Sequence, residues 1–275
     1  MILLVLKWLF GAAGALAVSA AAFWKRSLSF SGLMAAFVMG TVYFGAGNAF
    51  WFGILLLFFI TSSLLSKMKA GIKEELERDY AKTGRRDAGQ VLANGGVGML
   101  FVLAHAIRPL DVWPVLFIGA MATVTADTWA TELGTLSRRP PRSVRTGRVL
   151  RPGQSGGVSL LGTAAAAAGG LLIGAAGWLL AQAAGMDAGS LIAWSAAGLV
   201  GGLAGAFADS LLGATVQAMN RCATCGREVE AAFHHGRPTL PGRGWRWMNN
   251  DAVNAISSLL GSAAALLAAA LLGGI

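Results

Sequence analysis

The fold class follows from residues 112–134, which read VWPVLFIGAMATVTADTWATELG. No charged residue occurs from Val112 to Ala126, and a helix needs about 20 predominantly apolar residues to cross the hydrocarbon core of a bilayer. Two acids, Asp127 and Glu132, follow within the same stretch. The segment therefore predicts a membrane-spanning helix that carries ionisable groups near one of its ends.

Seven further segments of the chain are comparably apolar. The 275 residues are 55% hydrophobic and only 13% charged, with a mean hydropathy of +0.62, whereas soluble domains carry about 25% charged residues. This composition excludes a disordered chain, a disulfide scaffold and a soluble nucleic-acid binder, despite a net charge of +9. The apolar segments cover about 2–23, 31–46, 48–66, 90–107, 112–134, 158–183, 189–217 and 250–274. We therefore expect an all-α polytopic transmembrane helical bundle of about 8 spans (range 6–8) that forms a single integral-membrane domain over residues 1–275.

Positive charges are distributed unevenly between the links that join these segments. When the links after spans one, three, five and seven are placed on one side, that side receives 20 of the 22 Lys and Arg residues. Such an excess is typical of cytoplasmic loops. We therefore expect a multi-pass protein of the cell (inner or plasma) membrane, with its active face and its basic loops 67–89, 138–157 and 220–247 in the cytoplasm. The loop 67–89 mixes both signs of charge and predicts a solvated helix.

Four acidic residues lie within the apolar segments or at their ends, where ionisable groups are costly and usually mark a catalytic centre or a pathway. Besides Asp127 and Glu132, they are Asp209 in the seventh segment and Asp251 at the start of the eighth. The alternative is that each acid caps a helix or pairs with a nearby arginine. Because Asp127 and Asp209 follow small residues near the same end of their spans, we expect them to share a catalytic site and to hold Mg²⁺. Glu132, about 140° from Asp127 on an ideal helix, is the second choice for that role.

Asparagines accompany the acids at the same ends of the spans. Asn250 and Asn254 are four residues apart and therefore share one face of a helix, and Asp251 pairs with Asn254 at a spacing of three. Asn94 lies near the start of the fourth segment. Such residues either join helices or bind a polar ligand. We expect Asn94, Asn250, Asp251 and Asn254 to bind substrate or nucleotide.

A glycine-rich stretch precedes the sixth segment and reads PGQSGGVS over residues 152–159. Glycines leave backbone N–H groups free to converge on an anion, and the helix that follows presents its positive dipole end. The stretch is not a Walker A motif, because no Gly-Lys-(Ser/Thr) follows, and a flexible helix entrance is the alternative. The predicted phosphate-binding residues are Gln154, Ser155, Gly156, Gly157 and Ser159. We expect Arg138, Arg139 and Arg142, which come before them, to stabilise charge on the transferring group.

Cys222 and Cys225 form a Cys-x-x-Cys pair that is followed by His234 and His235. This spacing is compatible with a small structural zinc site in which Cys222, Cys225 and His234 are ligands. A pair of reduced thiols is the alternative.

The order and spacing of these motifs resemble the DUF92 family of bacterial, archaeal and plastid membrane proteins. The matching residues lie within about 90–260, which would be the family-like core: ADTWATELG at 126–134, the glycine stretch with Gly162 and Thr163, ADSLLGA at 208–214, NDAVN at 250–254, and the Cys222/Cys225/His234 loop. Plant members are associated with phytyl-phosphate kinase activity, and the family is similar to CTP-dependent dolichol and phytol kinases. The resemblance thus implies a membrane kinase for an isoprenoid monophosphate. This chain has Pro152–Gln154 where the family has Gly-Thr-(Asn/Asp)-Gly-like openings, so the resemblance implies no specific nucleotide-binding role for this opening.

Two functions of different classes fit these residues. One is a membrane kinase that transfers a phosphoryl group from a nucleoside triphosphate, with CTP expected, to an isoprenoid or polyprenyl monophosphate at the cytoplasmic face. The other is a carrier for a polyprenyl phosphate or another anionic lipid, with the intramembrane acids as proton sites. A carrier needs anion-binding groups that can be reached from both sides, and the outer links contain Arg108 alone. The asymmetry favours the enzyme, whereas a structural subunit would leave the buried acids without a role.

Overall fold

The computed structural model describes residues 2–68 and 84–273. Within these ranges, eight helices are long and apolar enough to cross a membrane, which confirms the predicted all-α bundle. They are α1 (Ile2–Trp24), α2 (Phe30–Val42, whose span extends to Gly47), α3 (Ala49–Lys67), α4 (Ala88–Ile107), α5 (Val112–Gly134), α6 (Leu160–Ala183), α7 (Leu191–Thr215) and α8 (Asn250–Leu271). A π-helical turn, Tyr43–Gly47, prolongs α2. The helix predicted within 67–89 lies largely outside the described residues.

Polar side chains at the helix starts bind backbone N–H groups that have no partner within the helix. Ser159 accepts a hydrogen bond from the N–H of Gly162 at 3.1 Å at the start of α6. Asn249 caps α8 in the same way. Asp87 and Gln90 form a reciprocal capping box at α4. The three helices α4, α6 and α8 therefore begin at defined residues, all of them beside the cavity described below.

Helix α5 is the centre of the bundle. It packs against α6, α7 and α8, and also against α3 and α4. Its buried residues run without a break from Phe117 to Ala126. Because neighbours surround α5, its side chains are buried on every face rather than along one stripe. Asp127 comes directly after this buried run.

Small residues allow the helices of this core to approach closely. A Cβ atom on Gly170 of α6 would lie 2.5 Å from the carbonyl oxygen of Gly198 on α7. A Cβ atom on Gly202 of α7 would lie 3.2 Å from the Cβ of Ala126 on α5. Helices in a membrane associate through such close packing, because lipid supplies no hydrophobic driving force between them. The glycines thereby bring together α5 and α7, which carry the predicted acids.

Aromatic side chains join α3 to α5. The rings of Phe50 and Trp51 lie 5.7 and 4.7 Å from the ring of Phe117, measured between centroids. The hydroxyl of Tyr43 donates a hydrogen bond to the carbonyl oxygen of Gly95 on α4 at 2.8 Å. These contacts fix the N-terminal helices on the core, since a buried hydroxyl and interlocking rings have few other arrangements.

Two of the links contain short strands. Between α5 and α6, β1 (Arg142–Ser143) pairs antiparallel with β2 (Gly157–Val158). Between α7 and α8 lie β3 (Asn220–Arg221), β4 (Glu228–Val229), β5 (Phe233–His234), β6 (Arg237–Pro238) and β7 (Leu240–Pro241), arranged as a sheet of order β4-β3-β7 and a β5–β6 hairpin. Arg243 donates hydrogen bonds to Glu228 at 3.0 Å and to the carbonyl oxygen of Gly213 at 2.9 Å. This arginine attaches the second link to the end of α7.

Candidate functional site

Described residues from all four links that were predicted to be cytoplasmic line a polar cavity of about 760 Å³ at one end of the bundle. Each link contributes to the wall; among the residues they supply are Arg26, Lys67, Arg86, Gln154 and Glu230. The other predicted residues in the wall are Asn94, Asp127, Glu132, Ser155, Gly156, Gly157, Ser159, Asp209, Asn250, Asp251 and Asn254. The structure therefore brings the predicted acids, asparagines and glycine stretch into one cavity.

Asp127 of α5 and Asp209 of α7 form an acidic wall. The two carboxylates are close enough for their charges to interact, and Glu230 is close enough to interact with Asp209. The hydroxyl of Ser257 on α8 donates a hydrogen bond to Oδ2 of Asp209 at 3.3 Å. Carboxylate oxygens are the ligands that Mg²⁺ takes from proteins. The donor set therefore fits the divalent cation that was predicted for Asp127 and Asp209.

Glu132 lines the same cavity, although its position on α5 turns it away from Asp127. Ser66, near the end of α3, donates a hydrogen bond to Oε1 of Glu132 at 2.5 Å. The charge of Glu132 also acts on Arg86. The helix thus gives its two acids different surroundings: Asp127 lies near Asp209, whereas Glu132 lies near α3 and a cation.

Two residues of the wall, Gln217 and Glu230, were not predicted from the sequence. The hydroxyl of Ser155 donates a hydrogen bond to Oε1 of Gln217 at 3.0 Å, and Nε2 of Gln217 donates one to Oε1 of Glu230 at 2.8 Å. This chain of hydrogen bonds connects the glycine stretch to the link between α7 and α8. One signal was present, because Glu228 and Glu230 are the only acids in residues 220–247.

The glycine stretch contributes backbone groups to the wall. Among the described residues, the N–H groups of Ser155 and Gly156 have no hydrogen-bond acceptor, so both are available to an anion. Gly156 has φ of +80°, which favours glycine. A Cβ atom there would lie 2.5 Å from the Cβ of Ala214 on α7. Gly156 is therefore required for packing on α7, and a larger residue there would not report on anion binding alone.

The three arginines predicted to act in catalysis lie on the exposed surface of the link between α5 and α6. Arg138, Arg139 and Arg142 are exposed, and the described residues that line the cavity do not include them. Nη1 of Arg142 donates a hydrogen bond to the carbonyl oxygen of Gly147 at 3.0 Å, within its own link. Among the described residues, the cations that line the cavity are Arg26, Lys67 and Arg86. Positive charge at the site thus comes from other links, and a catalytic role of the three arginines stays a prediction without a contact to support it.

Cys222, Cys225 and His234 come together, although His234 is separate in the sequence. One ligand atom from each residue lies within 4.8 Å of the other two, and Cys225 Sγ is 3.6 Å from His234 Nδ1. Hydrogen bonding to His234 lowers the pKa of Cys222 to about 6, which favours the thiolate, the form that binds metals. The three side chains fit a zinc site of thiolate and imidazole ligands.

The chain is similar to proteins of a plant and of an archaeon. A family model described as integral membrane protein DUF92 matches residues 13–262. Protein PGR of Arabidopsis thaliana is 35% identical over 165 residues (54% of this chain, 57% of PGR), and Protein VTE6, chloroplastic, of the same plant is 24% identical over 245 residues (87% and 65%). The uncharacterized membrane protein MJ0933 of Methanocaldococcus jannaschii is 33% identical over 150 residues (54% and 61%). The chain thus spans between 57% and 65% of the length of these curated relatives. No solved structure matches it.

Proposed function

Because this chain belongs to the DUF92 family of integral membrane proteins, we propose that it is a membrane kinase that transfers a phosphoryl group from a nucleoside triphosphate to an isoprenoid or polyprenyl monophosphate. The observation that carries the proposal is one cavity at the end of the spans that combines the acids Asp127 and Asp209 with the cations Arg26, Lys67 and Arg86. Transfer between two anionic substrates needs both kinds of group, since carboxylates bind the metal of the nucleotide and cations offset phosphate charge.

Asp127 and Asp209 are the proposed ligands of Mg²⁺, together with phosphate oxygens of the nucleotide. The bound ion would neutralise charge on the nucleotide phosphates during transfer. Ser257 supports this role, because its hydrogen bond to Asp209 restricts the carboxylate. CTP is the expected donor, since the family resemblance points to CTP-dependent lipid kinases.

The acceptor phosphate would need no general base. A phosphate monoester has a second pKa of about 6, so at neutral pH it already carries a deprotonated, nucleophilic oxygen. That oxygen forms a bond to the γ-phosphorus of the nucleotide, the bond from the γ-phosphorus to its bridging oxygen breaks, and a nucleoside diphosphate leaves. Arg26, Lys67 and Arg86 would reduce the repulsion between the two phosphates before this bond forms.

Polar groups in the rest of the wall are the proposed contacts of the nucleotide. The N–H groups of Ser155 and Gly156 have no acceptor among the described residues and would bind phosphate oxygens. The amides of Asn94, Asn250 and Asn254 offer both donors and acceptors. They would bind polar atoms of the nucleotide other than its phosphate oxygens.

The proposed location is the cell membrane, with the cavity on the cytoplasmic side. The links that carry 20 of the 22 Lys and Arg residues are those assigned to that side by the positive-inside rule. The same side supplies nucleoside triphosphates, so this is the orientation that the proposed activity requires.

Purified protein in lipid nanodiscs is expected to convert a nucleoside triphosphate and an isoprenoid monophosphate into a nucleoside diphosphate and an isoprenoid diphosphate. The assay combines CTP, ATP or GTP with Mg²⁺ and with phytyl, farnesyl, geranylgeranyl or undecaprenyl phosphate, and mass spectrometry detects both products. Reactions without Mg²⁺ are the control. If no triphosphate is consumed with any of these acceptors, the kinase proposal fails. Transfer of a labelled polyprenyl phosphate between the leaflets of proteoliposomes without nucleotide would then support the carrier.

We also propose that Cys222, Cys225 and His234 hold one structural Zn²⁺. A fourth ligand is expected from water or from His235, whose ring centroid lies 4.2 Å from that of His234. The ion would join β5 to the turn between β3 and β4. This connection would hold Glu230, which lies between β4 and β5, at the wall of the cavity.

Protein prepared without chelators is expected to contain about one equivalent of zinc, and Cys222→Ser is expected to release it and to lower the melting temperature. The physical reason is that a hydroxyl is a poor zinc ligand, so the binding free energy that supports the folded link is lost. Elemental analysis and thermal unfolding measure the two effects. Ala223→Ser, which adds a hydroxyl at an exposed position beside Cys222, is the matched control. Absence of zinc from the unaltered protein would contradict the site.

A further inference from the structure

A second, apolar slot of about 70 Å³ lies between α1, α2, α3 and α4. Its wall includes Val18 of α1, Ala36 of α2, and Leu55 and Phe59 of α3. Three of its lining residues, Arg86, Gln90 and Asn94, also line the polar cavity. The two spaces therefore meet at the start of α4, so that an apolar region and a polar region share one boundary.

Arg86 stands at this boundary. Its backbone is held by hydrogen bonds from its N–H to the carbonyl oxygen of Ser27 and from the N–H of Ser29 to its own carbonyl oxygen, both at 3.0 Å. Its guanidinium carbon lies 5.8 and 5.9 Å from the ring centroids of Phe58 and Phe59. Within residues 2–68 and 84–273, no hydrogen bond or ion pair engages this guanidinium.

Such a guanidinium is suited to an anion that arrives from outside the protein. Arginine carries five N–H donors in a planar fork that matches phosphate oxygens. Its position over two phenylalanine rings removes part of its hydration, and the nearby charge of Glu132 offsets the resulting cost without a direct hydrogen bond to the guanidinium. The N–H donors therefore stay available to a phosphate partner. An apolar slot that begins beside this cation would admit a hydrocarbon chain attached to the phosphate.

We propose that the slot between α1 and α4 binds the first part of the isoprenoid chain of the lipid monophosphate, while Arg86 binds its phosphate group. The proposal rests on the proposed kinase function and adds the binding site of its acceptor. Ligand pockets that enclose a drug-sized molecule measure about 300–1,000 Å³, so this slot holds only a part of one chain. The rest of the isoprenoid chain would lie in the bilayer. A lipid with two hydrocarbon chains at its headgroup would be excluded, because the slot holds part of one chain.

The first test maps the chain without catalysis. A farnesyl monophosphate that carries a photoreactive benzophenone is cross-linked to the unaltered protein in nanodiscs with no nucleotide present. Peptides are then identified by mass spectrometry. Labels are expected on slot residues such as Val18, Ala36 and Leu55, with competition by geranylgeranyl monophosphate. Labels confined to other, lipid-facing residues would overturn the assignment.

The second test uses matched variants. Ala36→Phe should fill the slot and weaken binding of geranylgeranyl monophosphate about tenfold or more, whereas Ala17→Phe places the same ring on an exposed position of α1 and should not. Arg86→Gln should weaken binding of the same lipid by a similar factor, because the positive charge is lost. Its control is Arg85→Gln, which removes the same charge from the exposed neighbouring residue. Equal affinities within each pair would overturn the proposal.

These results separate the acceptor site from the reaction. Slot labelling together with weaker binding in Ala36→Phe supports the site even if no triphosphate is ever consumed. Turnover of farnesyl phosphate by the unaltered protein, with no label in the slot, supports the kinase and overturns the site. Because the cross-linking is done on the unaltered chain, a variant that fails to fold leaves the first test intact.

Discussion

Replacement of Asp209 by asparagine is expected to reduce phosphoryl transfer by at least about 10³-fold, which corresponds to about 4 kcal/mol of transition-state stabilisation. Asparagine keeps the shape of the side chain and an oxygen that can accept the hydrogen bond from Ser257. It loses the negative charge that a divalent cation requires. Asp127→Asn should have an effect of the same order, because the two carboxylates are the proposed ligands of one ion. Rates under saturating CTP and lipid phosphate measure the loss.

A structural role of these acids must be separated from metal binding. Binding of Mn²⁺, followed by electron paramagnetic resonance, should weaken in both variants, while their melting temperatures should stay close to that of the unaltered protein. Asp111→Asn is the matched control, because Asp111 is an exposed acid at the opposite end of α5. Normal turnover in both Asp127→Asn and Asp209→Asn would remove the metal assignment.

Gly198→Val is expected to destabilise the bundle by about 3 kcal/mol or more. Even a Cβ atom at Gly198 would lie 2.7 Å from the Cα of Gly174, and closer still to the carbonyl oxygen of Gly170. These neighbours are backbone atoms and cannot move away as a side chain would, so α6 and α7 must separate. Since α7 carries Asp209, activity should fall along with stability. Thermal unfolding in detergent, followed by tryptophan fluorescence, measures the first effect.

The control for this variant is Gly96→Val on α4. A Cβ atom at Gly96 meets no described atom from another part of the fold within 4 Å, so this substitution changes helix propensity and adds a branched side chain without a collision between helices. The difference between the two melting temperatures isolates the cost of close helix packing. Equal shifts in Gly198→Val and Gly96→Val would contradict the contact between α6 and α7.

Much of the architecture could be predicted from hydropathy. The apolar segment at 112–134 has the bounds of α5, and the polar starts at Asn94 and Asn250 do lie beside the acids. These features are local, because span length and the cost of a polar group in lipid depend on neighbouring residues alone.

The cations of the site could not be predicted in the same way. The run of Arg138, Arg139 and Arg142 is conspicuous in the sequence, yet these side chains are exposed, whereas Arg86 lies in the wall. Glu230 joins the wall through Gln217, which the chain places 13 residues away. Whether a loop residue reaches a cavity depends on how its link folds over the helix ends, and charge counts do not contain that information.

Hydropathy and charge along the chain were enough to predict the membrane spans and to place the acids Asp127 and Asp209 at one end of them. That these acids share a cavity with Glu230 and Arg86, and that an apolar slot opens beside Arg86, became visible in the folded chain. The two results differ because the interactions behind them act over different separations along the chain. Burial of an apolar segment in lipid depends on that segment alone. A shared site, in contrast, forms only when helices that are far apart in the chain pack closely through their glycines.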